Sequence, residues 1–264
     1  MFATHVHIGT LKIAAIIVFS TILSASAYAQ VIVLQSTANA YKSGVTLSKS
    51  DEVNVPEGKM IVVVLPSGVT RTINGPFSAS AANLAKSGGR VNTALFKAVS
   101  NYLKTGGATA SSVGAVRSAA PHSIAPKFNA PFSWNTIYTR ASGDICIDKN
   151  APVSLERSVS NTPKSFTVVD LSNMQKAKVL FPAGMNTLPW PVELQLKNNN
   201  YGILTKGRRM QQVRIRFIDP LPAPENTLQV LHGQRCSLQL KAYLRDLTTQ
   251  RIAVVQPEQQ QIAQ

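Results

Sequence analysis

The stretch Met60-Ile61-Val62-Val63-Val64-Leu65, followed by Pro66-Ser67-Gly68 and then Val69-Thr70-Arg71-Thr72-Ile73, decides the fold class. The first run is apolar and rich in β-branched residues, which suits a buried strand. Pro-x-Gly is turn chemistry, and the run after it alternates so that Arg71 points to water. Together they read as a β-hairpin. Toward the N-terminus, Val31 to Leu34, Val45 to Leu47 and Val53 to Val55 are further short strands, and Pro56-Glu57-Gly58 turns into the hairpin. Toward the C-terminus, Asn74-Gly75-Pro76 ends it. After a small-residue stretch, Asn92-Thr93 caps a short helix with Leu95, Phe96, Val99, Tyr102 and Leu103 on its apolar face, closed by Gly106-Gly107.

Residues 105–131 are rich in Gly, Ala, Ser and Pro, hold no acid, and have Phe128 as their one aromatic, so they read as a flexible linker. Regular structure is expected to resume at Phe132-Ser133-Trp134. Strand candidates follow at 144–147, 153–155, 165–171, 178–181, 192–196, 201–204 and 213–218. In the last of these, Val213, Ile215 and Phe217 share one face while Arg214 and Arg216 share the other, the period of a half-exposed strand. Pro222 and Pro224 stop the sheet. Asn226 or Thr227 then caps a helix carrying Leu228, Leu231, Leu238, Tyr243, Leu244 and Leu247, which should cover the sheets or one of their open ends. The expectation is a mostly β protein: a small N-terminal β domain with a short helix (30–104), the flexible linker, a C-terminal antiparallel β-sandwich with a terminal helix (132–248), and a polar tail (249–264).

The run from Gly44 to Phe77, with its paired short strands, Val-Pro-Glu-Gly, Val-rich strand, Pro-Ser-Gly and Ile-Asn-Gly-Pro-Phe, resembles the β-rich periplasmic domain of FecR-like proteins. Those are bacterial envelope proteins, some of which relay signals from outer-membrane receptors. The whole chain also resembles exported two-domain bacterial proteins in which such a segment precedes a domain with a Trp, a Cys and a late Gly-x-x-Cys helix, here Gly233 to Cys236. It departs from the signalling members in showing no cytoplasmic arm and no later membrane span.

The compartment is read from the first 29 residues. Lys12 is their one Lys or Arg, Ile13 to Phe19 is apolar, and Ala27-Tyr28-Ala29 is a small-residue cleavage pattern. That is the order of a secretory signal peptide, so the mature chain should start near Gln30 and work in the periplasm, with outer-membrane association or secretion as variants of that placement. The charge is lopsided: 27 Lys and Arg against 12 Asp and Glu, a formal +15. Residues 58–143 contain no acid at all. Such a field favours anionic partners through attraction that salt screens, here an anionic envelope component or an acidic protein, and no nucleic acid is expected. The densest cluster is Lys206, Arg208, Arg209, Arg214 and Arg216, a candidate binding patch suited to bidentate phosphate or carboxylate contacts. The same residues also suit a solvated strand face that deters edge pairing.

No motif for catalysis stands out. Outside the leader the histidines are His122 and His232, too few and too scattered for a zinc site. G-x-S-x-G, phosphate-loop and dinucleotide-loop patterns are absent, so no metal and no cofactor are expected. A non-enzymatic binding or adaptor protein is the leading reading. An envelope hydrolase without a recognisable motif, or a structural component of an envelope assembly, are the rivals. Trp134 and Trp190 suit core packing better than sugar stacking, since neither sits in an aromatic cluster of the sequence. Finally, Cys146 and Cys236 are the two cysteines of the chain. An exported chain meets an oxidising compartment, which predicts a disulfide between them that fastens the last helix to the sandwich.

Overall fold

The computed structural model describes residues 30–105 and 130–249. The expected leader, all but the ends of the expected linker and the tail from residue 250 lie outside the described residues. The first half contains β1 (Val31–Ser36), β2 (Thr46–Leu47), β3 (Glu52–Val55), β4 (Met60–Val64), β5 (Thr70–Asn74) and β6 (Phe77–Ser80), then α1 (Ala81–Lys86) and α2 (Thr93–Lys104). β4 and β5 form the expected hairpin, with Ile61 opposite Ile73 and Val63 opposite Arg71. Gly68 in its turn has φ 90°, a left-handed conformation that glycine adopts freely. A Cβ there would also sit 2.1 Å from Leu95 Cδ2, so the missing side chain lets the turn rest on α2. Asn92 caps α2 as expected, its Oδ1 accepting from the Leu95 N–H.

The strand order of this sheet is β2-β1-β4-β5, and β3 pairs separately with β6. Val31, Val33, Ile61 and Val63 pack toward β3, β6 and α1, whereas Ile32, Leu34, Val62 and Val64 pack toward helices on the other side. Burial on both faces is why β4 and the first four residues of β1 are unbroken apolar runs. β6 and α1 fall between Pro76 and Asn92, where the sequence suggests no regular element. Their Ala and Ser side chains are too small to show a hydrophobic period, although Ser80 caps α1 by accepting from the Asn83 N–H.

The second half contains β7 (Thr136–Tyr138), β8 (Gly143–Asp148), β9 (Ser154–Glu156), β10 (Lys164–Asp170), β11 (Lys176–Phe181), β12 (Thr187–Pro189), β13 (Asn200–Leu204) and β14 (Gln211–Ile218). They build a five-stranded sheet, β11-β10-β13-β14-β8, and a three-stranded one, β12-β9-β7. Ile145, Leu155, Phe166, Phe181, Tyr201 and Val213 belong to the shared core. The mostly β class holds, with three differences in detail. β8 runs parallel to β14 and β7 parallel to β9, so each sheet mixes directions. Residues 192–196 are a loop, because Leu194 turns back to Pro191 and its carbonyl accepts from Trp190 Nε1, leaving Val192 exposed. Residues 132–134 have no regular structure; Phe132 instead stacks edge-on against Trp134 and Tyr243.

The expected last helix is two: α3 (Thr227–Gly233) and α4 (Ser237–Thr248), separated by Arg235 at φ 61° and preceded by a single 3-10 turn, Pro224–Asn226. They lie between the halves. Leu228, Leu231, Leu240 and Leu244 share one core with Ile32, Leu34, Val62 and Val99 of the first half and with Cys146 and Ile218 of the second. Gln229 Nε2 donates to the Ser67 carbonyl at 2.9 Å, and Thr70 Oγ1 to the Glu225 carbonyl at 3.2 Å.

Cys146 and Cys236 are disulfide-bonded with Cα atoms 5.8 Å apart, joining β8 to the start of α4. Gln239, three residues on and so on the same helix face, completes the joint. Its Oε1 accepts from the Cys146 N–H at 2.6 Å and its Nε2 donates to the Cys146 carbonyl at 2.7 Å and to the Ser133 carbonyl at 2.8 Å. β8 is an edge strand, and one amide side chain supplies the partner that another strand would have given it. Further along α4, buried Asp246 accepts from the Phe132 N–H at 2.6 Å, and Arg245 donates to the Ala130 carbonyl.

Candidate functional site

The candidate patch divides in two. Arg214 and Arg216 do share the outward face of β14, and the parallel pairing of β8 sets Asp144 beside them. Arg216 Nε lies 2.8 Å from Asp144 Oδ1 and Arg214 Nε 3.8 Å from the same oxygen, while Arg214 also donates to Asn200 Oδ1 at 3.2 Å. Exposed pairs of this kind contribute little stability, about 0–1 kcal/mol, but they hold both guanidinium groups down on the sheet and cancel part of their charge.

Lys206, Arg208 and Arg209 are different. They occupy the exposed turn between β13 and β14, and no described carboxylate pairs with any of them. Strand register brings two more cations to the same end of the sheet. Thr167 pairs with Leu204, so Lys164, three residues earlier on β10, projects toward the β13–β14 turn. Val213 pairs with Gly143, which places Arg140, in the turn before β8, beside the start of β14. Burial, then the charges of Arg208, Arg140 and Arg157, pull the Lys164 ammonium below its ordinary 10.5, the mark of a cation crowded by others. Lys164 Nζ also rests 5.5 Å from the centre of the Phe166 ring. Lys164 and Arg140 were missed in the sequence because they lie far from the 206–209 cluster along the chain, and only the pairing order joins them to it.

Two carboxylates belong to this end: Asp144, engaged by Arg216, and Glu156, whose carboxyl burial pushes above its ordinary range. Asp148, Asp170 and Asp219 sit at or just beyond the opposite strand ends, where β8, β10 and β14 finish. That end also carries cations, Lys176 opposite Val169 and Lys149 3.3 Å from Asp219, so it is the carboxylates that are sorted along the strand axis.

Arg157 lies behind the cationic end and is 4% exposed. Its guanidinium meets no carboxylate. It donates to four backbone carbonyls instead: Met185 at 2.8 Å from Nε, Thr162 at 3.0 Å from Nη1, and Ser160 at 3.3 Å and Pro182 at 2.8 Å from Nη2. A single side chain thus ties the loop after β9 to the loop after β11, with the Phe181 ring 5.4 Å beneath it.

Elsewhere, a small pocket with about 10 Å³ of room, enough for one water, is lined by Pro131, Thr136, Tyr138, Ile145, Leu238 and Gln239 among others, with no acid or histidine in its wall. His232 is half-buried in the last turn of α3. Trp190 packs edge-on against Tyr201, and Trp134 against Phe132. Among the described residues no group of three or more His, Cys, Asp and Glu side chains could hold a metal, and no helix is long and apolar enough to cross a membrane. No family model matches the chain, and neither a curated protein nor a solved structure matches it.

Proposed function

We propose that the chain is an exported, periplasmic, non-enzymatic binding or adaptor protein whose cationic end takes an anionic envelope component. The observation that carries this is the convergence of Arg140, Lys164, Lys206, Arg208 and Arg209 at one end of the sheet without a described carboxylate paired to any of them. Unpaired cations gathered at one pole give a directed field and keep their donors available for phosphate or carboxylate oxygens. The disulfide supports an oxidising compartment. The turn chemistry of residues 44–77 supports a FecR-like origin for the first half.

The test is retention of the exported chain on immobilised polyanion under a rising salt gradient. The triple variant Lys206→Glu, Arg208→Glu, Arg209→Glu should elute at much lower salt than the wild type. Arg214→Gln with Arg216→Gln should elute close to it, because Asp144 already occupies those two. Equal elution of the triple variant and the wild type would overturn the proposal. Cell fractionation with mass analysis of the N-terminus, expected at Gln30, tests the compartment.

A further inference from the structure

The cationic end also exposes half of the large apolar side chains that the described chain leaves in water. Val159, Leu180, Met185, Leu204 and Met210 are five of the ten large apolar residues that the described chain leaves exposed, and all five belong to this end. Their placement follows from register. Ser165 pairs with Leu180 and Thr167 with Leu204, which sets both leucines on the outer face of the sheet near the start of β10. Ile203 pairs with Gln211, so Met210 follows beside Leu204, and its thioether lies against Gly202, where a Cβ would come within 2.5 Å of the sulfur. Val159 and Met185 stand 72% and 51% exposed in the two loops that Arg157 ties together. The Gly184 N–H donates to the Ser160 carbonyl at 2.9 Å, a second link between those loops.

A soluble polyanion would use the cations and leave these side chains in water. A bilayer bearing anionic headgroups uses both, because phosphates meet the Lys and Arg heads while apolar tips enter the acyl boundary. Scattered single apolar residues on a surface need no explanation, but five of them at the end that also carries the unpaired cations fit an interaction face. Held by the Arg157 bonds and by strand pairing, the tips are presented without a loop having to order on contact.

Resting on the anion-binding reading above, we infer that this end of the sheet docks onto the surface of an anionic phospholipid bilayer, with Lys206, Arg208 and Arg209 on the headgroups and Val159, Leu180 and Met185 inserted below them. The protein binds the membrane as a peripheral, salt-sensitive partner.

The experiment is sedimentation of the exported chain, its N-terminus checked by mass, with phosphatidylcholine vesicles that contain or lack phosphatidylglycerol. A parallel arm measures binding to soluble polyphosphate. Binding should require phosphatidylglycerol and fall with salt. Each cation near an anionic surface strengthens partition about fivefold, so reversal of Lys206, Arg208 and Arg209 should lower it at least about a hundredfold and weaken polyphosphate binding too. Val159→Ser, Leu180→Ser and Met185→Ser together should lower vesicle partition by roughly tenfold and leave polyphosphate binding unchanged. Far-UV circular dichroism and the thermal midpoint check that these exposed substitutions leave the fold intact. Equal partition of the apolar variant and the wild type would overturn the membrane inference while the anion reading stands. Loss of neither binding in the charge variant would overturn both.

Discussion

Replacing Gln239 by Leu tests how α4 is fastened to β8. Leu keeps the bulk of the side chain but removes its three hydrogen bonds, at 2.6, 2.7 and 2.8 Å. The Cys146 N–H and carbonyl face away from β14, and α4 excludes water from them, so both lose their partner. A buried backbone group left unsatisfied costs about 1–3 kcal/mol, which puts the pair at about 2–6 kcal/mol. The Ser133 carbonyl is half-buried and turns to water at little cost. Added apolar burial from Leu returns about 1 kcal/mol. The expected net loss is therefore about 3 kcal/mol. Urea unfolding of the oxidised protein should show a lower midpoint at an unchanged slope, and the Cys146 amide should exchange faster with deuterium. Gln234→Leu, an exposed change just ahead of α4, is the control and should shift stability by no more than about 0.5 kcal/mol. If Gln239→Leu lost under about 1 kcal/mol, or matched the control, the amide would not be standing in for a strand.

Three further outcomes are expected. Reducing the Cys146–Cys236 bond opens a loop of sequence separation 90 and should lower stability by about 4 kcal/mol, and thiol titration of the unfolded, unreduced chain should find no reactive thiol, so that two would refute the bond. Arg157→Met should speed amide exchange in residues 157–163 and 182–186 while β10 stays protected, and unchanged loop exchange would show that the guanidinium does not hold the loops. Because burial and neighbouring cations lower the Lys164 pKa in the fold, the unfolded chain keeps that proton to higher pH. Stability should then gain with rising pH between the lowered value and 10.5, and Lys164→Gln should flatten that part of the profile. Identical profiles for variant and wild type would contradict the crowding of cations at that end.

Much of the fold was legible because it is local. The β4–β5 hairpin, β1, the capped α2 and the alternating β14 each declare themselves within a dozen residues, through branched side chains, turn residues or a cap. α1 and β6 were not legible, since Ala and Ser carry no period. The loop at 192–196 misled for the opposite reason, as its apolar residues suit a strand while Trp190 and Leu194 close a turn. Lys206, Arg208 and Arg209 stand out as a run, but the parallel pairing of β8 with β14 lies in no local pattern, and it is what sets Asp144 against Arg214 and Arg216 and brings Arg140 toward the turn of Arg208. Gln239 and Arg157 were invisible for the same reason. Each is an ordinary polar residue in the sequence and becomes decisive only through backbone groups more than 90 residues away, for Gln239, or across two loops, for Arg157.

The helices between the sheets also set a timetable for folding. Ile32 and Leu34 are among the first described residues to be synthesised, yet Leu240 and Leu244, which share their core, come some two hundred residues later. Until then α2, through Leu95 and Val99, covers only part of that face of β1 and β4, and the rest stays open to water and to neighbouring chains. Contacts of such long separation form slowly, and an uncovered strand face invites association in the meantime. A chain cut before residue 237 would leave the part that Leu240, Tyr243, Leu244 and Leu247 cover exposed for good, so nascent or truncated molecules should depend on a holdase that binds apolar strands until the last helix docks.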